Sequence, residues 1–138
     1  ISKRFSLSGI EIPRYGGACP RWNVYSAFSR QGVIQAAVSK MTNGEKYVCI
    51  AKTVEKGVGR YGQKKSMLSI GLGCEAKYAK EFVYTENLDL SDKKSELPIG
   101  VSCRTCDRLD CSQRAFPPLH KKFDVDINSR GVSVYVNE

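Results

Sequence analysis

The chain is poor in histidine, in long apolar runs, and in acid over its first half. His120 is the single imidazole, it follows Pro117 and Pro118, and no carboxylate stands at a fixed spacing from it, so the nucleophile–base pairings of hydrolases are hard to assemble. No apolar stretch approaches a membrane span, and Ile1-Ser-Lys-Arg-Phe-Ser6 lacks the hydrophobic segment of an export signal. The cysteines are therefore expected to be cytosolic thiols or metal ligands rather than a disulfide framework. Internal repeats and low-complexity tracts are missing as well. Gly-Leu-Gly-Cys74 lacks the residues that a nucleophile elbow or a phosphate loop requires after its glycines. The start at Ile1 leads to the expectation that residues 1–138 form one domain cut from a longer protein, with 118–138 as a C-terminal hairpin or tail.

Charge is unevenly placed. Residues 1–65 carry 12 Lys/Arg against 3 Asp/Glu, whereas residues 66–138 carry 10 against 11, so the formal net charge of +8 belongs to the N-terminal half. Such a surplus suits phosphates of a nucleic acid or a nucleotide-like ligand, an anionic membrane face, or simply a solvated lysine-rich surface. Aromatic residues are not organised into any base-stacking module.

Hydrophobic periodicity outlines an α+β fold. After a short strand over Arg4–Leu7 and a turn-rich arm, Trp22, Tyr25 and Phe28 recur every third residue and predict a short helix ending before Gly32. Val33–Lys40 and Lys46–Lys56 are rich in β-branched residues, and Asn43-Gly44 between them predicts an antiparallel hairpin, because both turn residues tolerate positive φ. A glycine-rich basic loop over 57–65 leads to a third strand, Ser66–Leu72. Glu75–Tyr84 then carries Ala76, Ala79, Phe82 and Val83 at helical spacing. Pro98–Val101 reads as an extended lead, and alternation at Phe123, Val125, Ile127, Val132, Val134 and Val136 suggests a last hairpin closed at Asn128–Gly131. The expected architecture is an antiparallel sheet with flanking helices, in outline like the PAS and GAF sensor folds, plus a cysteine-rich metal-binding loop.

That loop packs Cys103, Cys106 and Cys111 into nine residues. A Cys-x2-Cys step turns the chain so that two thiolates face one cation, and a third thiol close by can join them. Tetrahedral zinc needs a fourth ligand, available from Cys74, Cys19 or His120. Cys74 is favoured, because glycines precede it and it falls at a strand-to-helix junction. The set Cys74, Cys103, Cys106 and Cys111 leaves no position for water, so the zinc would be structural; an iron–sulfur cluster uses the same thiolates. Arg104, Arg108 and Arg114 are expected to pair with Asp107 and Asp110 and hold the loop. Cys19, between Arg14 and Arg21, is a candidate for a lowered thiol pKa.

Several stretches carry a resemblance: Ser8-Gly9, Arg14–Val24 with Ala27-Phe28, Ile50–Thr53, Ile70–Cys74, Leu88–Leu90, Pro98–Gly100 and Cys103–Pro118. Together they resemble the C-terminal domain of the short-chain fatty acyl-CoA regulators over most of residues 4–118. The similarity implies a cytoplasmic bacterial transcription factor with an N-terminal helix-turn-helix of the Xre type, a central region like the metallopeptidase-related IrrE proteins, and this piece as the part that senses short-chain acyl-CoA. Neither a helix-turn-helix nor a His-Glu-x2-His motif is present here, so DNA would be read by the absent N-terminal part. Coenzyme A offers phosphates at one end and a thioester at the other. Arg14, Arg21 and the Gly16-Gly17 turn would serve the phosphates, with Trp22 and Tyr25 near the acyl chain or adenine, joined there by Phe28 unless it is a core residue, and Tyr15 and Asn23 complete the candidate ligand-binding set. Phe28 is expected to pack in the core. The implied protein is not an enzyme: ligand binding would shift the geometry of a homodimer and so its DNA affinity. Two other classes fit the residues less well, a redox or metal sensor switching at the cysteine cluster and a thiol-dependent enzyme using Cys19.

Overall fold

The computed structural model describes residues 5–6, 17–57, 60–120 and 128. The expected strand over Arg4–Leu7 and the hairpin closed at Asn128–Gly131 lie mostly outside them, as does most of the segment 118–138. Helix is scarce: α1 spans Asn23–Ser26, followed by 3₁₀ turns at Ala27–Ser29, Ala76–Glu81, Val83–Thr85 and Cys103–Thr105. Among the described residues four strands, β1 (Gln35–Lys40), β2 (Lys46–Lys56), β3 (Ser66–Glu75) and β4 (Leu97–Pro98), form one sheet in the order β3-β2-β1-β4.

The β1–β2 hairpin follows from its turn. Met41 N donates to Glu45 O at 2.8 Å, Asn43 Oδ1 accepts from Glu45 N at 3.0 Å, and Gly44 takes φ +89°, a value open to glycine without strain. β2 and β3 then pair antiparallel from Tyr47↔Glu75 to Lys56↔Ser66. β4 corrects the expected topology. It pairs parallel with β1 at Ser39↔Leu97 and Lys40↔Pro98, so the sheet is mixed and not purely antiparallel.

Strand alternation gives the sheet two unlike faces. The face of Cys49, Thr53 and Gly71 takes α1 and the turn after it: Asn23 Nδ2 donates to Cys49 O at 3.0 Å and Gly32 N to Thr53 Oγ1 at 2.7 Å. On the opposite face lie Val48 and Val38, both buried, with the 3₁₀ segment Ala76–Glu81 folded back towards β2 and β3. The helix expected over Glu75–Tyr84 is broken there. Phe82 is extended (φ −97°, ψ 115°), and Thr85 Oγ1 caps the first turn on Ala79 O at 2.6 Å. At the end of the sheet where β4 joins, Cys19, Met41, Tyr47 and Ile99 form a buried cluster with Trp22, Cys49, Leu97 and Val101 packed against it.

Candidate functional site

The cysteine loop grows directly out of β4. Ile99 N continues the pairing by donating to Lys40 O at 2.9 Å, and Ser102 then caps the 3₁₀ turn Cys103–Thr105 by accepting from Arg104 N at 3.4 Å. That turn brings Cys106 N to Cys103 O at 3.4 Å, so the Cys-x2-Cys step doubles back as its spacing predicts. Cys103, Cys106 and Cys111 are all buried.

Arginines hold the loop, although not through the expected aspartates. Arg114, itself buried, donates from Nη1 to Cys103 O at 2.9 Å and to Phe116 O at 3.4 Å, and from Nη2 to Cys106 O at 3.1 Å and to Arg108 O. A planar fork of fixed donors suits a ring of carbonyls better than an ammonium group would. Arg108 ties the loop to the sheet, its Nη2 donating to Lys40 O at 3.1 Å and to Ile99 O at 3.4 Å. Its Nε is buried without a protein acceptor. Arg104 lies over the Phe116 ring at 4.8 Å. Asp107 instead meets His120, Oδ1 to Nε2 at 2.8 Å, a carboxylate partner that sequence spacing does not reveal.

The fourth thiol beside the triplet is Cys19. Its backbone N donates to Val101 O at 3.1 Å, and Trp22 Nε1 donates to Gly100 O at 2.9 Å, so residues 19–22 lie along the lead into the loop. Cys19, Cys103, Cys106 and Cys111 thereby line one cavity of about 10 Å³, together with Arg21, Arg108, Arg114 and residues 98–100. Gly100 lies against the loop, where a Cβ would come into van der Waals contact with Cys106, 3.4 Å from its Sγ. The favoured Cys74 does not line this cavity: it lies in β3 opposite Val48. None of the six cysteines is in a disulfide. Burial pushes the Cys19 thiol up from its ordinary value, outweighing the backbone hydrogen bond from Arg21, which reverses the expected lowering. Among the described residues no group of three or more His, Cys, Asp or Glu side chains stands in metal-ligating geometry. The four thiols share a cavity without meeting at one point.

Of the residues assigned to acyl-CoA, Arg14, Tyr15 and Gly16 lie outside the described residues. Gly17 is exposed, Arg21 faces the cysteine cavity, and Trp22 and Asn23 serve as scaffold through their bonds to Gly100 and Cys49. Tyr25 and Phe28 are 38% and 43% exposed, so Phe28 is not the core residue it was expected to be. The cavity at the cysteines is far smaller than the several hundred Å³ of a ligand cleft. No helix among the described residues is long and apolar enough to cross a membrane.

Comparison with known proteins places these features in a wider set. The family model for the C-terminal part of the short-chain fatty acyl coenzyme A regulator matches residues 1–135. The HTH-type transcriptional regulator RamB of Mycobacterium tuberculosis is 44% identical over 138 residues, covering 99% of this chain and 29% of the relative. A propionyl-CoA carboxylase regulator of Cereibacter sphaeroides is 42% identical over 135 residues, covering 98% and 29%. The HTH-type transcriptional regulator PrpR of Mycobacterium tuberculosis is 40% identical over 130 residues, covering 94% and 26%. A solved structure of a Mycobacterium tuberculosis transcriptional regulator superposes with a TM-score of 0.86 at 36% identity, over 97% of this chain and 41% of that one. The chain thus spans less than a third of the length of these curated relatives.

Proposed function

Since this chain belongs to the short-chain fatty acyl coenzyme A regulator family, as its C-terminal domain, we propose that it is the effector-responsive part of a cytoplasmic bacterial transcriptional regulator whose DNA-reading module lies outside these residues. Short-chain acyl-CoA is the effector in this reading, and no catalytic step is assigned. The observation that carries it is the family match across residues 1–135. The printed name of one relative, a propionyl-CoA carboxylase regulator, agrees with a signal drawn from acyl-CoA metabolism. In this reading the effector binds outside the cysteine cavity, whose volume of about 10 Å³ is too small for a nucleotide-sized ligand, with basic residues of the N-terminal half, Arg14 and Arg21 among them, answering its phosphates. Binding then favours one arrangement of a homodimer and changes DNA affinity.

The cysteine cavity serves this reading as a structural metal centre. Cys19, Cys103, Cys106 and Cys111, which line one cavity, are the donors in this reading. A set of four thiolates selects zinc or an iron–sulfur cluster. Two observations fit an anionic thiolate centre: Arg21, Arg108 and Arg114 surround the cavity, and Arg108 Nε is a buried donor lacking an acceptor. The bound group would supply a cross-link between the segment around Cys19 and the loop after β4.

Calorimetry of the intact regulator with a panel of acyl-CoAs tests the effector; saturable binding of a short-chain member is expected, and no heat at millimolar ligand with folded, metal-loaded protein would end the proposal. Elemental analysis and an ultraviolet–visible spectrum of protein purified without chelator test the centre. Stoichiometric zinc or iron is expected. A brown iron chromophore that bleaches reversibly on reduction would move the reading to a redox switch.

A further inference from the structure

Among the described residues β3 is the edge of the sheet, and it is an edge with no defence. Natural edges are blunted by lysine, proline, a bulge or shortness, because unpaired backbone groups invite another strand. β3 is 10 residues long, pairs with β2 without a break, and carries a single charge, Glu75, at its end. On the face away from α1, Leu68, Ile70 and Leu72 succeed one another at 38%, 52% and 62% exposure. The outer half of the β2–β3 hairpin also outruns its neighbour. β1 pairs no further than Gln35↔Ala51, whereas β2 and β3 continue to Lys56↔Ser66, which among the described residues leaves two strands where three are needed for a stable sheet.

We propose that β3 pairs antiparallel with β3 of a second copy of this chain, about a two-fold axis through Ile70, so that one sheet runs across both copies. The strand's own order of residues argues for this occupant. With Ile70 opposite Ile70 of the second copy, Leu68 meets Leu72 and Leu72 meets Leu68, so the exposed apolar row covers itself. On the other face Met67 meets Gly73 and Ser69 meets Gly71, a larger residue against a glycine each time. Beyond the apolar row Lys65 of one copy meets Glu75 of the other. The Lys65 ammonium is 53% exposed and, among the described residues, pairs with Glu55, itself 57% exposed, so it can exchange partners. Other registers lose this match. Shifting the axis to Gly71 sets Glu75 against Met67, and shifting it to Ser69 sets Leu72 against Ser66. The inference takes from the proposed function only that the regulator works as paired copies, and it survives if acyl-CoA fails to bind.

Sedimentation of the intact chain and of Ile70→Lys is the test, with circular dichroism to check that the variant keeps its fold. The parent is expected to dimerise in the micromolar range, and Ile70→Lys, which opposes two ammonium groups on the axis, to weaken association by about tenfold or more. Ile70→Cys is expected to form a reducible dimer whose cross-linked peptide joins residue 70 to residue 70 on mild oxidation, while Tyr61→Cys, fully exposed at the hairpin tip, forms none. A monomeric parent, a dimer indifferent to Ile70→Lys, or equal cross-linking at both positions would overturn the proposal.

Discussion

Arg114 shows how a charged side chain can be a core residue here. It is 7% exposed and faces no carboxylate; its donors are spent on the carbonyls of Cys103, Cys106, Arg108 and Phe116. Arg114→Ala would leave buried carbonyls unpaired, and a loss of about 3 kcal/mol is expected in urea unfolding. Arg114→Lys should recover little of it, since an ammonium lacks the planar fork. Tyr47 gives a prediction of opposite character. Burial, followed by the hydrogen bond that its hydroxyl donates to Glu45 Oε2 at 2.9 Å, pushes its pKa up from 10.0 to about 12. A group raised in the folded state contributes stability that is intact below its unfolded value and is lost as pH climbs through the folded one. Unfolding midpoints should therefore fall between pH 10 and about 12. Tyr47→Phe should be flatter across that window, although less stable at neutral pH.

Packing of α1 on the sheet turns on one missing Cβ. Gly71 lies so close to Val24 that a Cβ would overlap its Cγ1. Gly71→Ala is expected to cost about 1–3 kcal/mol by pushing α1 outward. Val24→Ala, which removes the obstructing methyl, should restore part of that in the double variant, and a cycle of thermal melts measures the coupling. This contact also marks the limit of what could be read beforehand. β2 was legible to its ends because a β-branched run and an Asn-Gly turn are local signals. β4 was not, because two residues in parallel with β1 carry no periodicity of their own. The same blind spot explains the thiols. Cys103, Cys106 and Cys111 are close in sequence, whereas that Cys19 lines their cavity and Cys74 does not follows from a contact 82 residues apart, the bond of Cys19 N to Val101 O. Glu75–Tyr84 misled through spacing alone: Phe82 is extended, and the segment makes two 3₁₀ turns instead of a helix.

The buried residues divide between two places, and the division predicts how the chain comes apart. Val38, Val48, Ala51, Thr53 and Ala79 sit within the sheet and its covering turns, where ladder hydrogen bonds and local packing hold them. Cys19, Ile99, Cys103, Cys106, Cys111 and Arg114 sit beyond β4, in irregular backbone tied down by arginine and, on the proposed reading, by a metal. Binding energy at such a centre is folding energy for the segments it joins, since the unfolded chain has no preformed site. Chelation should therefore act on one part before the other. A fall of about 10 °C or more in the first unfolding transition is expected on metal removal. Hydrogen exchange should accelerate at residues 18–23 and 98–119 while amides shared by β1 and β2 keep their protection. Cys19→Ser should reproduce the effect without chelator, and Cys74→Ser should not, because Cys74 lies opposite Val48 in β3, away from the cavity. If chelator leaves the exchange of both regions unchanged, or if Cys74→Ser is the variant that releases the metal, the four thiols around Cys19 are not the centre that joins loop to sheet.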